Sequence, residues 1–405
     1  MATDENKLAG AISAATNTGN DDQQWIASHW TLVWWRFKRH QLAMGAGVVI
    51  ALFYIICLTS EFLATQAPRE SIAEMSYAPP QSLSVEFSDG TVRPFVYGIS
   101  SERDPETYAM AHTIDKTQKY YITYFARNPA YAYKFWGLFC TDRHLMVAVV
   151  EDVEMPAEPD CTVDNVLTKT PRNIYVLGTD WMGRDMWSRI MLGTRISMSI
   201  GLVGVAISLI IGIFMGGISG LRGGWTDLVI QRLIEQLRAM PTIPLWLALA
   251  AAVPADWSIT KQYFAIVVIL SVIGWTTLAR EVRGRFLAMR EEDFVLAARL
   301  YGSGQVRIIF RHMLPSFVSH IIASISLSIP GIILAETSLS FLGLGMRPPA
   351  ISWGVLLKEA QNVRTVDQAP WLLLPGVFVV VAVLAFNFLG DGLRDAADPY
   401  SNRNS

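Results

Sequence analysis

Six apolar runs, each near the length of a membrane crossing, constrain this chain more than any other feature. They cover residues 42–63, 196–220, 228–253, 263–280, 317–342 and 371–389. A helix rises about 1.5 Å per residue, so ~20 apolar residues cover the ~30 Å of hydrocarbon in a bilayer. Charged residues are 17% of the 405 and hydrophobic ones 52%, where soluble domains carry roughly 25% charge. The expected fold is an all-α polytopic membrane protein with six transmembrane helices in a lipid bilayer. A net charge of −2 with no basic excess argues against nucleic acid as a partner.

The third run is the least regular. Gln231, Arg232, Glu235, Gln236 and Arg238 occupy its first half, and Pro241 and Pro244 follow. Its helix is expected to begin outside the lipid and to kink at the prolines. Arg36, Lys38 and Arg39 precede the first run, and the loop after the fourth carries Arg283, Arg285, Arg290, Arg299, Arg307 and Arg311. Positive residues stay in the cytoplasm, so a multi-pass plasma-membrane protein with both termini cytoplasmic is expected.

Divided on this basis, residues 1–41 form a cytoplasmic tail, disordered to about 24, and an interfacial anchor helix marked by Trp25, Trp30, Trp34 and Trp35. The first transmembrane helix takes 42–64. Residues 65–176 are too polar to cross and too long for an ordinary connection. Their aromatic stretches (Tyr120, Tyr121, Tyr124, Phe125) read as a periplasmic insertion of mixed or β structure. Residues 177–195 form a periplasmic amphipathic segment, which either contacts a partner or caps the bundle through salt bridges. Residues 196–392 hold five further helices, and 393–405 a cytoplasmic tail. Cys140 and Cys161 share the insertion, and in an oxidising compartment they are a disulfide pair or two partly buried thiols.

Within the core, 285–315 is a polar interruption whose last part reads DFVLAARLYGSGQVRIIFRHMLP. Phe294, Ala297, Ala298 and Tyr301 fall at i, i+3, i+4 and i+7, one face of a helix. Val306, Ile309, Phe310 and Met313 repeat the spacing after Gly302-Ser303-Gly304. Asp293 suits an N-cap, Gly302 a left-handed helix end, and Pro315 the first turn of the next span. Two short helices at a membrane surface are suited to insertion into a soluble partner.

Several blocks resemble the C-type permease subunits of bacterial dipeptide, oligopeptide and nickel ABC importers. They include WWRFKRHQLAMGAGVVI at 34–50, LGTDWMGRDMWSRIMLGTRISMSIGL at 177–202, the 293–315 block, ILAETSLSFLGLGMRPPAISWG at 333–354 and FNFLGDGLRDAADP at 386–399. The resemblance implies the six-helix type I importer fold and a function in peptide transport. It makes 293–315 the EAA loop that docks on the ATPase, with Asp293, Phe294, Ala297, Ala298, Tyr301, Gly302, His312 and Pro315 as its coupling residues. It further implies a homologous permease subunit, two ABC ATPase subunits and a periplasmic substrate-binding protein as partners. The motif's glutamate falls here on Leu296, so no carboxylate completes a capping box with Asp293. His312 is either a pH sensor or a hydrogen-bonding interface residue.

Glu336 lies inside the fifth run, where a carboxylate is costly. It either lines the translocation path or is a buried structural group bonded to backbone or to Ser338. The chain has no GxxxxGK[ST] phosphate loop, no closely spaced metal-ligand set and no GxSxG arrangement. A non-enzymatic subunit is therefore expected, with no catalytic residue, metal or cofactor of its own and with ATP and Mg used by partner subunits. Without an internal repeat, a self-sufficient secondary transporter is the weaker reading.

Overall fold

The computed structural model describes residues 29–88, 91–106, 110–128, 131–148, 161 and 174–397. The N-terminal tail to residue 24 and the last eight residues lie outside the described residues. Helix α1 (His29–Arg39) leads into α2 (Gln41–Leu58), capped by the His40 ring, which accepts the Ala43 N–H. The core continues with α3 (Met186–Arg222), α4 (Gly224–Ala239), α5 (Thr242–Ala251), α6 (Ile259–Met289) and α7 (Asp293–Leu300). It ends with α8 (Val318–Phe341), the short α9 (Trp353–Leu357) and α10 (Leu374–Ala397).

Five helical stretches are long and apolar enough to cross a membrane: Gln41–Leu58, Met186–Arg222, Ile259–Met289, His320–Phe341 and Pro370–Ala396. The third expected span differs. It divides at Met240-Pro241 into α4 and α5, neither of which is a crossing by itself. Proline lacks the N–H that would continue the ladder, and Met240 ahead of it is held extended. The ten residues of α5 reach only about 15 Å.

Small residues bring α3 and α6 together. A Cβ at Gly220 would lie 2.7 Å from the Phe286 Cβ, and one at Gly216 would collide with the Ala279 backbone. No larger residue allows this approach. Above the helices, the insertion is an antiparallel sheet with strand order β1-β2-β3-β6. The strands are β1 (Ser84–Ser88), β2 (Thr91–Arg103), β3 (Met110–Arg127) and β6 (Arg143–Ala148). A separate hairpin pairs β4 (Tyr133–Phe135) with β5 (Phe139–Thr141). Cys140 and Cys161 are joined in a disulfide, with Cα atoms 6.0 Å apart.

Candidate functional site: a two-faced hairpin at one end of the bundle

Helix α3 runs the length of the bundle, from the sheet at its start to the 293–315 hairpin at its end. In the hairpin, α7 is capped by Glu292 in an extended conformation without a side-chain bond, so Asp293 is the first helical residue and not the N-cap. Its carboxylate still favours the positive end of the helix. The other end closes in a Schellman motif. The Ser303 N–H donates to the Ala298 carbonyl at 3.0 Å and the Gly302 N–H to that of Arg299 at 2.9 Å. Gly302 sits at φ +76°, as expected of it. A turn at Gln305–Arg307 and a widened π-helical turn at Ile308–Met313 follow, and Pro315 lies in the 3-10 turn before α8.

The two expected apolar faces come apart. Val295, Ala298, Ile308, Ile309 and Met313 are buried against Ile213 and Leu221 of α3, Val282 and Phe286 of α6 and Ile321 of α8. Phe286 meets Phe317 edge-on at 5.5 Å. Phe294, Ala297, Tyr301, Val306 and Phe310 instead face outward. Tyr301 is 91% exposed and Leu300 89%. Sequence periodicity finds apolar stripes, but this hairpin carries two, and only the position of the bundle decides which one turns inward. The outward stripe borders a shallow recess lined by Gly304, Gln305, Val306, Arg307, Phe310 and Arg311. Arg222, at the end of α3, donates through Nε to the Gln305 side-chain Oε1 at 2.7 Å. His312 is half-buried, with no hydrogen-bond partner among the described residues.

Glu336 is fully buried in α8. The Ser340 and Ser352 hydroxyls donate to its Oε1 at 2.8 and 2.7 Å, and the Ser197 hydroxyl reaches Oε2 at 3.4 Å. Ser338, its expected partner, is exposed on the other side of the helix. The same serines accept backbone N–H groups of Met346 and Trp353. The carboxylate therefore ties α3, α8 and the start of α9 together. One turn of chain separates Glu336 from Ser340, which is legible in sequence; Ser197 and Ser352 come from other elements.

At the sheet end, Asp180 is buried between Arg184 (2.6 Å) and Arg189, and Glu359 completes the cluster 3.4 Å from Arg184. Asp185 caps α3, accepting the Ser188 N–H at 2.8 Å and the Thr65 hydroxyl at 3.0 Å. Burial pushes its carboxyl up to about 6, against those hydrogen bonds. The amphipathic segment thus works as a polar clasp of the loop onto the bundle. At the opposite end Arg283 grips Asp227 through two hydrogen bonds of 2.5 and 2.6 Å, which hold the Asp227 carboxyl below its ordinary range.

Five helices of crossing length and a two-faced hairpin at one end of their bundle define a polytopic membrane protein. Residues 208–401 match the family described as "Binding-protein-dependent transport system inner membrane component", and residues 28–80 the "N-terminal TM domain of oligopeptide transport permease C". The oligopeptide transport system permease protein OppC of Bacillus subtilis is 36% identical over 59% of this chain and 77% of its own length. The glutathione transport system permease protein GsiD of Pectobacterium atrosepticum is 38% identical over 58% and 75%. The dipeptide transport system permease protein DppC of Bacillus subtilis is 37% identical over 58% and 71%. The chain belongs to this family of inner-membrane components, as a permease of the OppC/DppC type. Membership implies ATPase and binding-protein partners, and a subunit of this kind is not itself catalytic.

Proposed function

We propose that this chain is one half of the translocation path of a peptide importer, assembled with a homologous permease, two ATPase subunits and a substrate-binding protein. Its relatives' names speak for dipeptides, oligopeptides or glutathione as cargo. Positive residues near the spans favour cytoplasmic termini and a cytoplasmic position for 285–315. Six crossings then require that α4 and α5 together count as one, broken at Pro241, and 65–176 and 177–195 lie in the periplasm.

The observation that carries the reading is the outward apolar stripe of the hairpin. Soluble surfaces rarely leave several large apolar residues together in water without a partner. Phe294, Ala297, Tyr301, Val306 and Phe310 would fill a groove on the ATPase as an amphipathic helix does. Val295, Ala298, Ile308, Ile309 and Met313 would pass its movement to α3, α6 and α8. Gly302 keeps the two short helices at a set angle, and Arg307 and Arg311 suit an acidic rim. His312 serves the interface. Leu296 leaves docking without the motif's glutamate. Glu336 is read as a structural carboxylate, because its acceptor positions are taken by serines.

The test uses the assembled transporter. Tyr301→Ala with Phe310→Ala is expected to leave stability within about 0.5 kcal/mol, as exposed sites do, while ATPase retention on purification and ATP-driven uptake fall severalfold. Undiminished retention and uptake would overturn the docking role.

A further inference from the structure

The sheet and the β4–β5 hairpin lie outside both matched family ranges, so membership says nothing of what they do. Yet the hairpin tip is placed with care. The Trp136 indole N–H donates to the Leu58 carbonyl oxygen, the last of α2, at 2.9 Å. The Arg195 guanidinium lies over the Trp136 ring at 4.9 Å and also pairs with Glu61. The body of the sheet is tied down nearby, through Asn128 to the Thr65 carbonyl and His144 to the Glu61 carbonyl. The tip is therefore held level with the C-terminal end of α2.

What is presented at that level is apolar. Leu138 is 82% exposed and its chain neighbour Phe139 is exposed too, while Phe125, also exposed, lies within 5.8 Å of the Phe62 ring just beyond α2. Trp136 and Gly137 both have positive φ, and the Leu138 N–H closes the turn onto the Phe135 carbonyl at 2.9 Å. Such turns favour Asn-Gly, and a bulky aromatic in that conformation is strained. Phe125 is likewise at positive φ, +56°. Backbone strain kept at two exposed aromatic residues, both facing the end of one span, points to a use for them. Lys134 and Arg143 flank the tip and are exposed.

We infer that the β4–β5 tip is a second membrane anchor, which seats Leu138, Phe139 and Phe125 in the interfacial layer of the leaflet where α2 ends. Three features select lipid as the occupant. The tip continues the exposed apolar side of α2, formed by Val48, Leu52, Ile55 and Leu58. Its tryptophan is of the type enriched at the headgroup level. The two basic side chains can reach up to phosphates while their stems lie on apolar surface. The anchor fixes the height of the sheet above the bilayer, because the sheet and the hairpin share the connection through His144, whose other ring nitrogen meets the Tyr131 carbonyl at 2.8 Å.

The test uses the full transporter in nanodiscs of phosphatidylethanolamine and phosphatidylglycerol. Cys57→Ser leaves this chain no other free thiol, since Cys140 and Cys161 are bonded, and the other subunits are used in cysteine-free form. Leu138→Cys, and separately Phe139→Cys, then carry an environment-sensitive nitrobenzoxadiazole label. Phospholipid bearing a doxyl group high on its acyl chain is expected to quench either label severalfold more than aqueous iodide does. Stronger quenching by iodide would mean a tip in water, and would overturn the anchor. Protection from both quenchers would mean a tip covered by protein, the sister permease being the nearest candidate, and would overturn it equally.

Discussion

The two ends of the helical core are held by different physics. At the sheet end, contacts are directional and charged: Asp180 between Arg184 and Arg189, Glu359 beside them, Asp185 capping α3 and bonded to Thr65. At the hairpin end, attachment is mainly apolar, with Val295, Ala298, Ile308, Ile309 and Met313 set against α3, α6 and α8. A buried ion cluster loses much when one member shifts, since the others are left uncompensated. An apolar contact is non-directional and tolerates small sliding. On the docking role proposed for the hairpin, the difference would keep one end in register while force is applied at the other.

The charged lock at the sheet end is tested most decisively at Asp180. Its replacement by alanine leaves Glu359 alone to balance Arg184 and Arg189 in a buried site, and a loss of about 3 kcal/mol is expected. Thermal unfolding of the detergent-solubilised protein measures it. A loss no larger than that of an exposed substitution would mean that the sheet end is not locked by charge. At the hairpin end, Ile309→Ala should cost about 2–5 kcal/mol through the cavity it leaves. That cost should be insensitive to salt and pH, and a strong dependence on either would erase the distinction between the ends.

A smaller and more selective effect is expected at Asp185. Its folded pKa, raised to about 6, lies above the unfolded value of about 3.9. The folded state therefore binds the proton more tightly, and stability rises as pH falls from about 6 to about 4 and is lost again on the way back up. The shift corresponds to of order 2–3 kcal/mol across that window. Asp185→Asn keeps a capping side chain and should flatten this part of the pH profile. Unfolding curves of the two proteins at matched pH read the difference, and parallel profiles would exclude a titrating cap.

Much of this architecture was legible in the residues themselves. Apolar runs of crossing length appear in five places as helices long enough to span. The polar interruption at 293–315 is a pair of short helical segments with Gly302 at the turn. The aromatic stretches of the insertion form strands. What the residues do not show is spatial. The stripe Phe294-Ala297-Ala298-Tyr301 is apolar and helical as expected, yet only Ala298 turns inward, because Val295 supplies a competing face. The third run is interrupted at a proline whose neighbours determine whether the helix bends or breaks. Glu359 sits far from the Asp-Arg segment whose cluster it completes, and Ser352 sixteen residues from Glu336.

Taken alone, the sequence determined what local physics can determine: which segments leave water for lipid, where helices end at glycine and proline, and where a surface hairpin interrupts them. These depend on neighbours a few residues apart and on transfer of side chains from water. Tertiary structure alone decided which apolar stripe is buried on the bundle and which stays exposed. It also decided which hydroxyls surround Glu336, which cations surround Asp180, and at what height the Trp136 turn sits. Those outcomes depend on groups remote in the chain that meet only once the helices are packed, and no period along the sequence records them.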